Sequence, residues 1–440
     1  MRCDFSMGNT RMKMVAGALL LSLASVAGAT NLVGGGATLP AFGYAGASSS
    51  AATPGNPLVP NAGSLFGVYA TASGNTVTYC PTGSGAGKRI LAGNVPGTET
   101  ANGLCLSSAP AGFKATGGAT ITQASFAGSD APLSVTEFNN YKNGHSNNLP
   151  EQFPAVAGAI AIAFNKSGVS SLTLSEGQIC AVFSGQITTW DELGAGTGPI
   201  HLVYRSDGSG TSFSFLNHLS AVCPLAANVL SGKTAATAFK TNQTFATGVA
   251  SYSTAYDAAG AQNGNGGVSD YIKNNDGTLG YVEAAYSIPS PGKVASVKNT
   301  NSGLTVNPST GFGSTAVPVA LSFSKAIADA VDANGRPVLT DLPTATQCVA
   351  VVDPSTYANP ASGYPILAVT YLLGNQTGNG SDAAAIRTAL GTPYKNAPNR
   401  SSVTKIGRIT TGYAWLTEAS VLDSADASTG IQARINSCIN

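Results

Sequence analysis

The segment from His201 to Phe213 combines the residue types that proteins use to bind an oxyanion. Its sequence is H-L-V-Y-R-S-D-G-S-G-T-S-F, where a β-type run ends at Arg205 and a Gly-rich turn precedes a helical pattern. The start of that helix offers unpaired N–H groups and the positive end of the helix dipole. Ser209 and Thr211 add hydroxyl donors, and Arg205 adds a guanidinium suited to phosphate or carboxylate. For this segment alone, an ordinary strand–turn–helix with Thr211 as N-cap is an equally good interpretation.

Two further Gly-rich turns offer donors of the same kind. In Gly34–Phe42 (G-G-G-A-T-L-P-A-F), Pro40 suits the first turn of a helix and places Thr38 at its N-terminus, where a plain N-cap is the alternative. Tyr79–Arg89 (Y-C-P-T-G-S-G-A-G-K-R) is similar to a phosphate loop. It lacks the glycine and the hydroxyl residue that a Walker A motif requires at its two ends, so ATP hydrolysis is not expected.

An acidic residue follows a short apolar run at Phe126–Leu133 (F-A-G-S-D-A-P-L). Asp130 in this position is explained equally well by a surface turn or a helix cap. Beside a bound oxyanion its charge would be repulsive, unless the ligand carries a proton that it can donate to the carboxylate.

These turns lie in a chain that alternates between two types of pattern, which favours an α/β architecture with largely parallel sheets. Predicted strands lie at 76–79, 156–164, 200–204 and 364–371, and predicted helices at 212–222, 324–330 and 381–390. Stretches rich in Gly, Ser, Ala, Pro or Asn predict loops at 45–63, 93–118 and 257–267.

Composition excludes several function classes. Charged residues make up only 10% of the 440, against about 25% in an average soluble protein. The net charge of +1 provides no basic excess, so no nucleic-acid partner is expected. Three histidines in the whole chain argue against a His-built metal centre and against a Ser-His-Asp triad.

The first residues form a predicted secretory signal peptide, 1–29. Arg11 and Lys13 precede an apolar run over 15–24, and Ala27-Gly28-Ala29 provides a small-residue cleavage signature. The apolar run is too short to span a bilayer, and the mature chain is expected to begin near Thr30.

Six cysteines remain after removal of Cys3 with the signal peptide, and an exported chain favours disulfides between them. Six cysteines allow 15 connectivities. We take pairing in sequence order as the working interpretation, 80–105, 180–223 and 348–438, with buried free thiols as the alternative.

Taken together, the motifs resemble the periplasmic phosphate-binding protein of phosphate ABC importers, including its DING-type exported relatives. The likeness is carried by G-G-G-A-T-L-P-A, T-G-S-G-A-G, F-A-G-S-D-A-P-L-S and R-S-D-G-S-G-T-S-F, which begin at residues 34, 82, 126 and 205. Supporting stretches follow the same order at 153–165, 183–193, 279–286 and 364–368, so the resemblance covers most of the mature chain.

The resemblance implies an α/β, two-lobed periplasmic-binding-protein-like fold (type II) with a ligand cleft between the lobes. Lobe one would comprise 30–160 plus 362–440, and lobe two 161–361. It also implies a phosphate-binding set without metal or cofactor, in which Leu39 and Gly210 contribute backbone N–H groups. The full set is Thr38, Leu39, Ser84, Asp130, Arg205, Ser209, Gly210 and Thr211.

The chemistry of this set agrees with the resemblance. Asp130 would accept the proton of hydrogen phosphate, whereas sulfate carries no proton near neutral pH. An unpaired buried group costs about 1–3 kcal/mol, and each 1.4 kcal/mol is about tenfold in affinity. The sequence does not separate phosphate from arsenate.

Two classes of function remain open at this point. The first is a non-enzymatic, monomeric phosphate-binding protein, periplasmic or secreted, which docks to an inner-membrane ABC permease or scavenges freely. The alternative is an exported phosphatase-like hydrolase that uses the same oxyanion site. Against it, the sequence has no G-x-S-x-G elbow and no metal-ligand cluster, and His145, His201 and His218 are scattered.

Overall fold

The structure is a computed structural model that describes residues 29–53, 56–93, 105–108, 111–114, 120–121, 124–287, 293–312, 321–394, 413–415 and 430–440. The predicted signal peptide, apart from Ala29, and most of the predicted loop 93–118 lie outside the described residues. Within these ranges, no helix has both the length and the apolar character needed to cross a membrane.

The first ten described strands are β1 (Asn31–Gly36), β2 (Thr76–Cys80), β3 (Leu106–Ser108), β4 (Ala111–Lys114), β5 (Thr120–Ile121), β6 (Phe126–Ser129), β7 (Pro150–Asn165), β8 (Thr173–Ser175), β9 (His201–Arg205) and β10 (Ala261–Gln262). The remaining ones are β11 (Thr278–Glu283), β12 (Ser296–Lys298), β13 (Thr305–Val306), β14 (Leu321–Phe323), β15 (Lys325–Val331), β16 (Pro337–Asp341), β17 (Ala350–Val352), β18 (Leu367–Asn375) and β19 (Tyr413–Trp415).

The described helices are α1 (Ala41–Ala45), α2 (Leu65–Ser73), α3 (Ser84–Leu91), α4 (Val135–Gly144), α5 (Glu176–Phe183), α6 (Gly210–Val222), α7 (Phe245–Gly248), α8 (Gly264–Asn274), α9 (Pro308–Gly311), α10 (Pro354–Tyr357), α11 (Ala383–Gly391) and α12 (Ile431–Cys438).

A nine-stranded mixed sheet organises the described part of the chain. Its strand order is β10-β9-β11-β7-β18-β6-β1-β2, and β19 also pairs with β7. The pairs that flank the Gly-rich turns are parallel, namely β1 with β2, β1 with β6 and β9 with β11. By contrast, β18 is antiparallel to both β6 and β7, so the sheet is more mixed than the sequence suggested.

Strand β7 belongs to both halves of this sheet. Residues 150–159 pair with β18, and residues 160–165 pair with β11. The predicted boundary between the lobes, at residue 160, therefore coincides with the point where β7 changes its partner. The division into lobes stays a prediction.

One predicted helix, 324–330, is wrong. The segment forms strand β15, which pairs with β16 in an antiparallel hairpin. Here the partner strand and the apolar neighbours of Ala326 and Ile327 outweigh the high helix propensity of the alanines. The segment that contains the hairpin also contacts the start of β7, where the Gln152 N–H donates to the Cys348 carbonyl at 2.9 Å.

The predicted loop 257–267 is wrong from residue 261 onwards, because it contains β10 and α8 begins within it at Gly264. The predicted loop 45–63 includes a buried residue, Ser49, whose hydroxyl accepts the Gly266 N–H at 3.0 Å. Composition therefore predicted loops for two segments that in the structure pack against each other.

The three disulfides pair in sequence order, as predicted: Cys80–Cys105, Cys180–Cys223 and Cys348–Cys438. Cys180 lies on α5 and Cys223 follows α6, so the second disulfide fixes the C-terminal end of α6 against α5.

The Gly-rich end of β1 allows a close approach to β6. Gly36 has φ of +125°, and a Cβ there would lie 2.2 Å from the Gly128 carbonyl oxygen. Only glycine fits at this position. The turn after β1 and the turn after β6 are thereby brought side by side, which places Thr38 and Asp130 in one region.

Candidate functional site

Strand β9 and helix α6 position the first group of predicted site residues. Arg205 is the last residue of β9, and Ser209 is the N-cap of α6, where its hydroxyl accepts the Ser212 N–H at 3.0 Å. The N-cap is therefore Ser209 and not Thr211, which lies in the first turn of the helix. All four residues that were predicted from this segment are buried.

Arg205 is buried together with a carboxylate of the same turn. Its Nε donates to Asp207 Oδ1 at 2.7 Å, and its Nη2 donates to Asp207 Oδ2. Burial lowers the pKa of Arg205, but the neighbouring Asp207 carboxylate more than offsets this and raises the pKa above its ordinary value. The guanidinium fork is thus held by Asp207, while Nη1 points towards Thr211 Oγ1 at 3.3 Å.

Asp130 lies directly after β6 and is 1% exposed. Its Oδ1 accepts the Thr370 hydroxyl at 3.0 Å, and Thr211 Oγ1 lies 3.5 Å from its Oδ2. Burial raises the pKa of Asp130 to about 7, although the Thr370 hydrogen bond, the Arg205 charge and the Thr211 hydrogen bond lower it. Asp130 is therefore a carboxyl that can change its protonation state near neutral pH.

A glycine allows α6 to approach this carboxyl closely. A Cβ at Gly210 would lie 2.5 Å from the Cβ of Asp130, so any larger residue would push the helix away. The Gly210 N–H donates to Ser84 Oγ at 3.2 Å, and the Asp130 N–H donates to the same oxygen at 3.0 Å. Ser84, the first residue of α3, thus connects the turn after β6 with the start of α6.

Thr38 and Leu39 lie in the turn before α1, and both are buried. Thr38 Oγ1 accepts hydrogen bonds from the backbone N–H of Asn265 at 3.0 Å and from its Nδ2 at 2.9 Å. The Leu39 carbonyl accepts the hydroxyl of Tyr413. The same Asn265 Nδ2 donates to Thr211 Oγ1 at 3.0 Å, so one amide connects this turn to α6.

All eight predicted site residues are therefore brought into one buried region, which is defined here as the donor cluster. The ends of β1, β6 and β9 and the first turns of α3 and α6 supply it. It presents hydroxyls, helix N-terminal N–H groups and a guanidinium beside the buried carboxyl of Asp130. Such a combination can bind a small oxyanion that carries a proton.

Sequence reasoning missed three residues of this region. Asp207 was part of a quoted motif but was given no role, although it holds Arg205. Thr370 lies inside an apolar strand, where a lone hydroxyl residue was a usable signal. Asn265 had no local signal, because its stretch was interpreted as a loop.

The other candidates lie elsewhere. Lys88 of the apparent phosphate loop is buried and pairs with Glu137 at 2.7 Å. His145 stacks on Tyr141, His201 is exposed, and His218 is buried beside Glu176. Among the described residues, no group of three or more His, Cys, Asp or Glu side chains is placed to hold a metal ion.

Comparison with known proteins shows which protein superfamily the chain belongs to. Residues 43–385 match the PBP superfamily domain, so the chain belongs to the periplasmic-binding-protein superfamily. The predicted periplasmic-binding-protein-like α/β fold is thereby confirmed.

The names of individual relatives are more specific than the superfamily match. A phosphate-binding protein from an unknown prokaryotic organism is 31% identical over 63% of this chain and 73% of its own length. Alkaline phosphatase L of Pseudomonas aeruginosa is 28% identical over 91% of this chain and 90% of its own length. A high-affinity periplasmic phosphate-binding protein, PfluDING, solved with bound phosphate, is similar with a TM-score of 0.60 at 27% identity, covering 92% of this chain and 98% of its own.

Proposed function

We propose that this protein is an exported substrate-binding protein that captures inorganic phosphate in the donor cluster. The observation that carries the proposal is the position of Asp130, a buried carboxyl with a pKa raised to about 7 among hydroxyl and N–H donors. The donors bind ionised oxygens of the ligand, and the ionised Asp130 accepts the proton of hydrogen phosphate. Sulfate, without such a proton, would place an oxygen against the carboxylate.

In this proposal the ligand is held by hydroxyls of Thr38, Ser84, Ser209 and Thr211, by N–H groups of Leu39 and Gly210, and by the charge of Arg205. The ligand lies between lobe one, 30–160 plus 362–440, and lobe two, 161–361. Support comes from the change of partner in β7 at residue 160 and from the names of the relatives. No metal or cofactor is required, because the donors are all protein groups.

The protein is proposed to act as a monomer in the periplasm or outside the cell, either for an inner-membrane ABC permease or as a scavenger. The three disulfides suit an oxidising compartment.

Titration calorimetry of the phosphate-stripped mature protein, first against phosphate and then against sulfate, tests the function. We expect tight one-to-one binding of phosphate with no heat from sulfate. No phosphate heat from a protein verified as folded and ligand-free would refute the proposal. Release of nitrophenol from p-nitrophenyl phosphate, abolished by Ser84→Ala, would instead support the hydrolase that the name of the Pseudomonas relative suggests.

A further inference from the structure

Asn265 connects two hydroxyls that come from distant parts of the chain. It lies in the first turn of α8 and is fully buried. Its Nδ2 donates to Thr38 Oγ1 at 2.9 Å and to Thr211 Oγ1 at 3.0 Å. Both hydrogens of the amide nitrogen are used in this way, one for each threonine.

The orientation of this amide is fixed from its other side. Asn265 Oδ1 accepts the backbone N–H of Glu283 at 2.9 Å. A flipped amide would place its NH₂ group against that N–H, two donors facing each other, and would place its oxygen between the threonines. The Glu283 N–H therefore determines that Asn265 presents donors, and not an acceptor, to both hydroxyls.

Each threonine hydroxyl consequently has both lone pairs engaged. Thr38 Oγ1 accepts the backbone N–H and the Nδ2 of Asn265. Thr211 Oγ1 accepts the Nδ2 of Asn265 and the Nη1 of Arg205 at 3.3 Å. A hydroxyl has two lone pairs and one proton, so the remaining capacity of each is to donate. The Thr211 hydroxyl directs its proton towards Asp130 Oδ2 at 3.5 Å, a weak contact that a ligand oxygen at ordinary hydrogen-bond distance would replace.

We propose that Asn265 is a positioning residue that makes Thr38 and Thr211 obligate hydrogen-bond donors towards the ligand. This role rests on the proposed phosphate-binding function and adds to it a determinant of specificity. With both hydroxyls restricted to donation, the ligand must present ionised oxygens to them, and its proton is left to face Asp130. Asn265 and Asp130 together then select a tetrahedral oxyanion that carries a proton on one side only.

The test is a double-mutant cycle for phosphate affinity, measured by calorimetry. Asn265→Leu keeps the side-chain size and removes both amide donors, which leaves one lone pair of each threonine hydroxyl free and relaxes its orientation. We expect at least about tenfold weaker binding in this variant, or about 1.4 kcal/mol. In a Thr38→Val/Thr211→Val background the same substitution is expected to change affinity by less than threefold, because the hydroxyls through which it acts are gone.

Two further variants separate positioning from folding. Asn299→Leu removes another buried asparagine, whose Nδ2 donates to the Pro360 carbonyl at 3.1 Å, and is expected to lower the melting temperature while keeping phosphate affinity within twofold. Asn265→Ser, which keeps a polar side chain but is too short to reach both threonines, replaces the leucine variant in the cycle if that variant does not fold.

The outcomes are distinct. Additive effects of the Asn265 and threonine substitutions, in a wild type that binds phosphate, would overturn the positioning role alone. A folded wild type without phosphate affinity would overturn the proposed function and this role with it.

Discussion

Two buried carboxyls of the same sheet, Asp130 at the end of β6 and Glu151 at the start of β7, have different surroundings. They are 1% and 0% exposed. Asp130 accepts the Thr370 hydroxyl and lies near the charge of Arg205, whereas neither carboxyl oxygen of Glu151 has a hydrogen-bond partner in the part of the chain that the structure describes. Burial raises the pKa of both, to about 7 for Asp130 and well above the ordinary value for Glu151.

The comparison shows that burial alone does not make a ligand site. At Asp130 the hydroxyls and the guanidinium oppose the effect of burial, so the ionised form exists near neutral pH and can accept a proton from a ligand. At Glu151 no group among the described residues opposes it, so the neutral form of the carboxyl is favoured to higher pH. The neighbours of each carboxyl, and not its depth of burial, distinguish the proposed ligand site from a core position.

Removing the Arg205 guanidinium from the surroundings of Asp130 has the largest expected effect on phosphate affinity. Arg205→Ala leaves the buried Asp207 carboxylate without its cation, close to the proposed phosphate position. We expect phosphate binding to weaken by more than tenfold, and by about a hundredfold if the truncation costs about 3 kcal/mol. Calorimetry measures this, with Lys325→Ala as the control because its ion pair with Asp341 is partly exposed. Equal phosphate affinity in Arg205→Ala and wild type would show that Arg205 is not part of the binding site.

Neutralising each carboxyl in turn tests the comparison directly. Asp130→Asn presents an amide that can donate to an unprotonated oxygen. The ratio of phosphate affinity to sulfate affinity is therefore expected to fall, by about tenfold if the substitution changes the difference in binding free energy by about 1.4 kcal/mol. Glu151→Gln, the matched neutral substitution at the other buried carboxyl, should leave the difference in affinity between phosphate and sulfate unchanged. Competition titration with both anions measures it, and an unaltered gap in Asp130→Asn would refute the proton-accepting role.

The smallest expected effect concerns the pH dependence of stability. The unfolded Glu151 carboxyl loses its proton above its ordinary pKa, while burial raises the pKa of the folded one, which keeps its proton to higher pH; the wild-type free energy of unfolding is therefore expected to fall as pH rises above that ordinary pKa. Glu151→Gln removes this contribution. Its stability relative to wild type is therefore expected to increase between pH 5 and pH 8, as measured by urea unfolding. A difference that does not change with pH would mean that Glu151 is not held neutral.

The predictable part of the site is the part that is local in the chain. Arg205, Ser209 and Thr211 belong to one strand–turn–helix, so their types and spacing already indicated an oxyanion site. The residues that were missed are joined to the site only by tertiary structure: Thr370 lies 240 positions from Asp130, and Asn265 lies 54 positions from Thr211. The wrong helix at 324–330 has a different origin: its partner β16 follows in the same hairpin, and the alanines of the segment favoured the helical interpretation.

The pairing order of the cysteines has a consequence for biosynthesis. Each cysteine of the mature chain bonds to its next neighbour in the sequence, the first to the second, the third to the fourth and the fifth to the sixth. In a chain that is oxidised from its N-terminus as it leaves the translocation channel, every newly exposed pair is then a native pair. Oxidation in that order yields this connectivity directly, so the pairing order does not itself require an isomerase.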